Sequence, residues 1–148
     1  MEVRFFVPGK VQPGGSKSAF YSKALGHSVI VDACKHNAAW KKTVKQYAAK
    51  AYKGQLLDGP LKVTFLVIVE RPKSHYGTGR NAGILKKSAR LYPTVKPDLT
   101  KLFRSTEDAI TGVVWVDDAQ VVIQNLKKKY GKRQGAYVVI NTISEVCA

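Results

Sequence analysis

The stretch KPDLTKLFRSTEDAITGVVWVDDAQV, running from Lys96 to Val121, decides how this chain folds. Pro97 sits where a helix begins, and Asp98 in its first turn puts negative charge at the positive end of the helix dipole. Leu102, Ser105, Ala109 and Ile110 recur at helical spacing and Gly112 stops the run, so a helix is expected over Leu99–Thr111. Val113–Val116 reads as short and extended, and it ends on the adjacent acids Asp117 and Asp118. A helix of that length climbs ~20 Å at about 1.5 Å per residue, and an extended 113–118 returns ~20 Å at about 3.3 Å per residue. The expected result is Asp117–Asp118 beside Asp98. Adjacent strand residues face opposite ways, so only one of the pair could join Asp98, and the other would cap or support it.

Working outward, Leu61–Val69 (LKVTFLVIV) reads as a buried strand, and Gln120–Lys128 and Ala136–Ile143 as two more, paired in a hairpin around Gly131–Gly135. Toward the N-terminus, Val3–Val7 is a strand ended by Pro8-Gly9, and Lys10–Lys17 is a basic loop rich in Gly and Pro. Phe20–Tyr21 and Val29–Val31 suggest a hairpin around Leu25-Gly26-His27. From Asp32, read as an N-cap, the residues Ala33, Trp40, Val44, Tyr47, Ala48 and Ala51 mark a second helix ended by Gly54. Ser74–Thr94 reads as a long loop, a feature usually kept for function. The order β, α, β, α, β, β implies an α+β two-layer sandwich with two main helices, in a single domain spanning 1–148.

The 148 residues are 45% apolar, enough for a core, and the longest apolar run is far short of a membrane span. Cys34 and Cys147 form neither a metal pattern nor a disulfide framework, and no charged-then-apolar leader opens the chain, so a reducing, cytoplasmic location is expected. Lys and Arg number 25 against 10 Asp and Glu, a formal charge of +15 that points to a polyanion partner. Its distribution says more. Arg71, Lys73, Arg80, Lys86, Lys87, Arg90 and Lys96 fall in a stretch with no acid, and Lys127–Lys129 opens another basic run. Between them lie Asp98, Glu107, Asp108, Asp117 and Asp118, half of all the acids. A protein that only grips phosphate gains nothing from such carboxylates, whereas one that holds Mg²⁺ against a phosphodiester needs both.

Lys96-Pro97-Asp98-Leu99, the helix with Glu107-Asp108-Ala109-Ile110-Thr111-Gly112, and Val114-Trp115-Val116-Asp117-Asp118-Ala119-Gln120-Val121 together resemble the signature of RusA-type Holliday junction resolvases. The resemblance implies a RusA-like mixed sheet and a homodimeric endodeoxyribonuclease that resolves branched DNA by paired nicks in recombination and repair. Mg²⁺, with Mn²⁺ as a substitute, would be the cofactor. It further implies catalytic roles for Asp98 and Asp118, which would hold the metal, with Asp117 matching the family's aspartate pair and a further expected ligand, and a basic residue at Arg104 where the family usually has lysine; Lys101 is the other expected catalytic cation. One position departs from the pattern. Family members usually carry a second aspartate two residues after the first, and here Thr100 stands there. Glu107 shares nearly the azimuth of Thr100 but lies about 10 Å along the axis, too far to substitute unless the metal sits differently; Glu70 is another candidate.

Phosphate contacts are expected from Lys10 and Lys17, from the basic loop (Arg71, Lys73, Arg80, Lys86, Lys87, Arg90, Lys96) and from Lys127 and Lys129. Tyr76, His75 and Tyr92 could stack on bases, Trp40, Trp115, Tyr47 and Phe65 belong to the core, and His27, His36 and His75 share no metal-like spacing. Two other readings stand beside the nuclease: a protein of the same fold that binds branched DNA without cutting, which Thr100 suggests, and a basic RNA-binding protein, which leaves the acidic window unexplained.

Overall fold

The computed structural model describes residues 1–15, 17–32 and 34–146. Four strands make one mixed sheet in the order β1 (Glu2–Pro8), β6 (Gly135–Thr142), β4 (Leu61–Val69), β5 (Val121–Tyr130). β6 is antiparallel to both β1 and β4, while β5 runs parallel to β4. Helices α1 (Asn37–Ala51) and α2 (Leu99–Ile110) lie side by side, α1 against β1 and α2 against β5, which gives the expected two-layer α+β sandwich. β2 (Lys17–Ser22) and β3 (His27–Asp32) form the expected separate hairpin.

The core follows the periodicities. On β4, Leu61, Val63, Phe65 and Val67 are buried at every second residue. On α1, Asn37, Trp40, Val44 and Ala48 turn inward, and on α2 Leu102, Phe103, Ser105, Thr106, Ala109 and Ile110 do the same. Phe103 meets Phe65 at 5.3 Å between ring centroids. Trp40 Nε1 donates to Thr106 Oγ1 at 3.1 Å, satisfying a buried indole between the helices. Trp115 is fully buried and Tyr47 packs at the edge of this cluster.

Four expectations are corrected. β5 and β6 are not a hairpin: β4 lies between them, because the most apolar strand takes the centre of the sheet and needs a neighbour on each side. The chain leaves β5 with the Gly131 N–H bonded to Val69 O and crosses the end of β4. Val113–Val116 is not extended. Gly112 adopts φ +82°, and Gly112 N donates to Trp115 O at 2.8 Å, so the segment coils and plugs Val114 and Trp115 into the core. Asp32 is not a helix cap but the last residue of β3; α1 starts at Asn37 after His36. Finally, α1 ends at Ala51 rather than at Gly54, with Tyr52 N closing on Ala48 O. Ala33 and Cys147, named above, lie outside the described residues.

Candidate active site

The two adjacent acids sit on a short 3₁₀ turn, Asp118–Gln120, and not on a strand. Asp117 is its cap, and its Oδ1 accepts from Ala119 N at 2.8 Å. Gln120 locks the turn from both ends of its amide. Oε1 accepts from Val116 N and Asp117 N, both at 2.9 Å, while Nε2 donates to Leu57 O at 3.0 Å and Gly59 O at 2.9 Å. Asp118 is thus presented on a turn clamped to the segment before β4. Sequence reasoning quoted Gln120 as part of a motif without giving it this task. Gln120→Ala is expected to cost about 2 kcal/mol of stability and, by letting Asp118 drift, to slow any nicking about 10²-fold. Thermal melting and single-turnover cleavage would measure the two effects.

With 111–116 coiled, Asp118 comes to lie along the flank of α2, from Thr100 near its start to Glu107 in its second half. Asp118, Glu107, Arg104, Thr100 and Gln124 line one cavity of about 330 Å³. Asp98 faces an adjoining cavity of about 950 Å³ with Lys96, Lys127 and Lys129, and Leu126 lines both. Asp98 takes the N-cap position of α2, and Lys101 Nζ lies 3.9 Å from its Oδ2. Thr100 and Glu107 share a cavity for the reason noted in the sequence: seven residues are nearly two full helical turns.

Electrostatics single out the first cavity. Asp108 is paired with Lys41 at 3.6 Å, but among the described residues neither Glu107 nor Asp118 has an ion-pair partner. Glu107 is half-buried, and burial first, then the charges of Asp118 and Asp108, push its carboxyl from 4.5 up to about 7. A hydrogen bond to Asp117 raises Asp118, while the Ala119 N–H and the bond from Asp118 lower Asp117.

Arg104 is positioned by a device the sequence showed only as a glycine pair. Gly14 N donates to Lys101 O at 2.9 Å, and Asn37 Nδ2 to Pro13 O at 2.8 Å, which pins the 10–15 loop onto both helices. Gly15 has φ +83°, and a Cβ there would stand 2.8 Å from Arg104 Cδ. Gly15→Ala is expected to push the guanidinium aside and lower the cleavage rate about tenfold, with junction affinity unchanged. A rate equal to wild type would remove Arg104 from the site.

The expected phosphate contacts divide by location. Lys127 and Lys129 are exposed and line the Asp98 cavity with Lys96. Lys128, between them, points inward, and its Nζ donates to Val95 O and Pro97 O, both at 2.9 Å, holding the segment that precedes Asp98. Arg71 and Lys73 line a third cavity with Glu70, well away from Asp118. Arg80, Lys86, Lys87 and Arg90 are exposed on the loop after β4, where Arg90 Nη1 bonds Thr94 Oγ1 at 2.8 Å. Lys17 lies on the β2–β3 hairpin, and Lys10 lines a cleft at the start of α1.

Residues 10–141 match the family model for the endodeoxyribonuclease RusA, and the chain belongs to that family. It is also similar to the uncharacterized protein YqaN of Bacillus subtilis (strain 168), at 28% identity over 110 residues, covering 72% of this chain and 77% of the relative. The family places the chain among nucleases that hydrolyse DNA. Nucleases of this family generally use a divalent metal, and the donors here suit a hard cation. Carboxylates of Asp118 and Glu107 and the hydroxyl of Thr100 are all oxygen ligands. No cluster of three His, Cys, Asp or Glu occurs among the described residues.

Proposed function

We propose that the chain is a Mg²⁺-dependent endodeoxyribonuclease, also accepting Mn²⁺, that resolves four-way junctions or other branched DNA by paired nicks in recombination and repair. The whole chain, 1–148, would act as one endonuclease domain within a homodimer. The observation that carries this reading is that Asp118 and Glu107 share one cavity with no salt bridge to either among the described residues, in a chain whose net charge is +15. Two carboxylates facing a single arginine in so basic a protein fit a site meant for a metal.

Asp118 and Glu107 would hold the cation, with Asp98 reaching the same phosphate from the adjoining cavity and Asp117 orienting Asp118 or sharing the metal. When bound, Mg²⁺ supplies Lewis acidity toward the scissile phosphate and a lowered pKa for the attacking water. Arg104 brings the cavity's own positive charge to the oxygens that gain charge in the transition state, and Lys101 does so beside Asp98. Lys96, Lys127 and Lys129 hold the flanking phosphates. Glu107 supplies the carboxylate that Thr100 lacks.

Dimerisation is supported by apolar surface that a lone chain leaves open. Val122 on the edge strand β5 is 61% exposed, and Ile30 on the β2–β3 hairpin is 71% exposed. A two-stranded hairpin standing alone is marginal in water, and a C₂ pair would put one site on each of two equivalent junction strands. The reading is tested by incubating the protein with a synthetic four-way junction, its linear duplex and an RNA hairpin in Mg²⁺ and in Mn²⁺. Paired nicks in the junction alone are expected. Tight junction binding without nicks in either metal would favour the non-cutting protein that Thr100 suggests, and preference for the hairpin would favour the RNA-binding one.

A further inference from the structure

We infer that the cavity at the C-terminal ends of β4 and β5 is a subsite for a single unstacked nucleotide of the DNA substrate, lying outside the hydrolytic centre. The inference rests on the proposed DNA-cleaving reading. This cavity has a volume of about 460 Å³ and is lined by Glu70, Arg71, Lys73, Tyr76, Tyr130 and Lys132. β4 and β5 run parallel, so the space opens beyond their C-terminal ends, a common place for ligands in sheets with parallel strands.

The lining is organised before any ligand arrives. The Arg71 guanidinium stacks on the Tyr130 ring at 4.4 Å, donates from Nη1 to Arg90 O at 2.7 Å, and lies 3.2 Å from His75 Nδ1. His75 in turn sets its ring edge-on to Tyr130 at 5.4 Å. Tyr76 is fixed by its N–H to Lys73 O at 3.0 Å and by a bridge to Leu85. Held so, Arg71 has no carboxylate within ion-pair distance among the described residues, and neither do Lys73 and Lys132.

The chemistry selects a nucleotide over a bare phosphate. Three cations suit phosphate oxygens, and the half-buried Tyr76 ring suits the face of a base. Glu70 would repel a phosphate but accepts hydrogen bonds from the amino group of a base such as cytosine. The position also fits one continuous strand. Gln124 lines the Asp118 cavity and Tyr130 this one, on the same face of β5 and a span of ~20 Å apart at about 3.3 Å per residue. Stacked DNA advances about 3.4 Å per nucleotide, so the held base stands about six steps from the phosphate at Asp118.

The test uses four-way junctions carrying one 2-aminopurine at successive positions along an arm, with fluorescence reporting unstacking and anisotropy reporting binding. Fluorescence is expected to rise at one position about six steps from the nick. Tyr76→Ala should abolish the rise and weaken binding about tenfold, and Tyr76→Phe should keep both. Binding with no rise at any position, or a rise that survives Tyr76→Ala, would overturn the subsite and leave the nuclease reading standing. No junction binding by the wild-type protein would overturn both.

Discussion

Asp118→Asn is expected to slow metal-dependent nicking by on the order of 10³-fold, about 4 kcal/mol of transition-state stabilisation, while junction binding stays within a few-fold of wild type. Asp118 lies in the one cavity that also holds Glu107 and Arg104. Its turn is held by backbone and Gln120 hydrogen bonds that do not involve its own carboxylate oxygens as acceptors from Gln120. Asparagine keeps the size and removes the charge, so the turn should persist while cation affinity falls. Phosphate grip comes from Lys96, Lys127 and Lys129 next door, so binding should survive. Cleavage equal to wild type would move the centre elsewhere, with Asp98 the next place to look.

Glu107→Gln should give two effects of opposite sign. Cleavage should fall about 10²-fold, since a metal ligand is lost. Without metal, however, the variant should be more stable than wild type above neutral pH. The carboxyl of Glu107 is raised from 4.5 to about 7 by burial and by neighbouring acids, so between those values the folded protein holds a proton that the unfolded chain has released. Stability therefore falls as pH rises through that window. Glu107 is half-exposed, and after solvent screening the loss is on the order of 1–2 kcal/mol. Urea unfolding in EDTA at pH 8 should show the glutamine variant ahead by that amount, and at pH 4 the curves should coincide. An equal difference at both pH values would mean that packing, not charge, separates the two proteins.

How much of this could be read in the residues depends on which forces decide each element. Helical and strand periodicities locate what packing decides, and Leu102, Ser105, Ala109 and Ile110 are buried as their spacing implies. The hairpin of β2 and β3 was legible because its turn is local, with Gly26 N bonded to Ser22 O. Pairing across the sheet was not. A short Gly–Lys–Arg spacer between two strands looks like a hairpin, and only the claim of β4 on both neighbours separates them. Val113–Val116 misled for a related reason: an apolar run looks the same whether extended or coiled, and Trp115 Nε1 bonding Thr111 Oγ1 at 2.9 Å favours the coil. With that turn in place, Asp118 shares a cavity with Glu107 as well as with Thr100. It also changed the standing of Glu107, which counting along the helix had set too far from the chemistry.

The segregation of charge survived intact. Acid-free segments carry the exposed cations around the cavities, and the acids between them supply the centre. Thr100 stands where the family resemblance leads one to expect an aspartate, and the proposed cation site works without one there.

The most direct measurement is a Mn²⁺ titration by electron paramagnetic resonance on the wild-type protein, Asp118→Asn and Glu107→Gln, with no DNA present. The wild-type protein is expected to bind Mn²⁺, each substitution to weaken binding at least tenfold, and Asp108→Asn, at the acid paired with Lys41, to leave it nearly unchanged. A wild-type protein that binds no Mn²⁺, or binding that both substitutions leave intact, would contradict the proposed metal site.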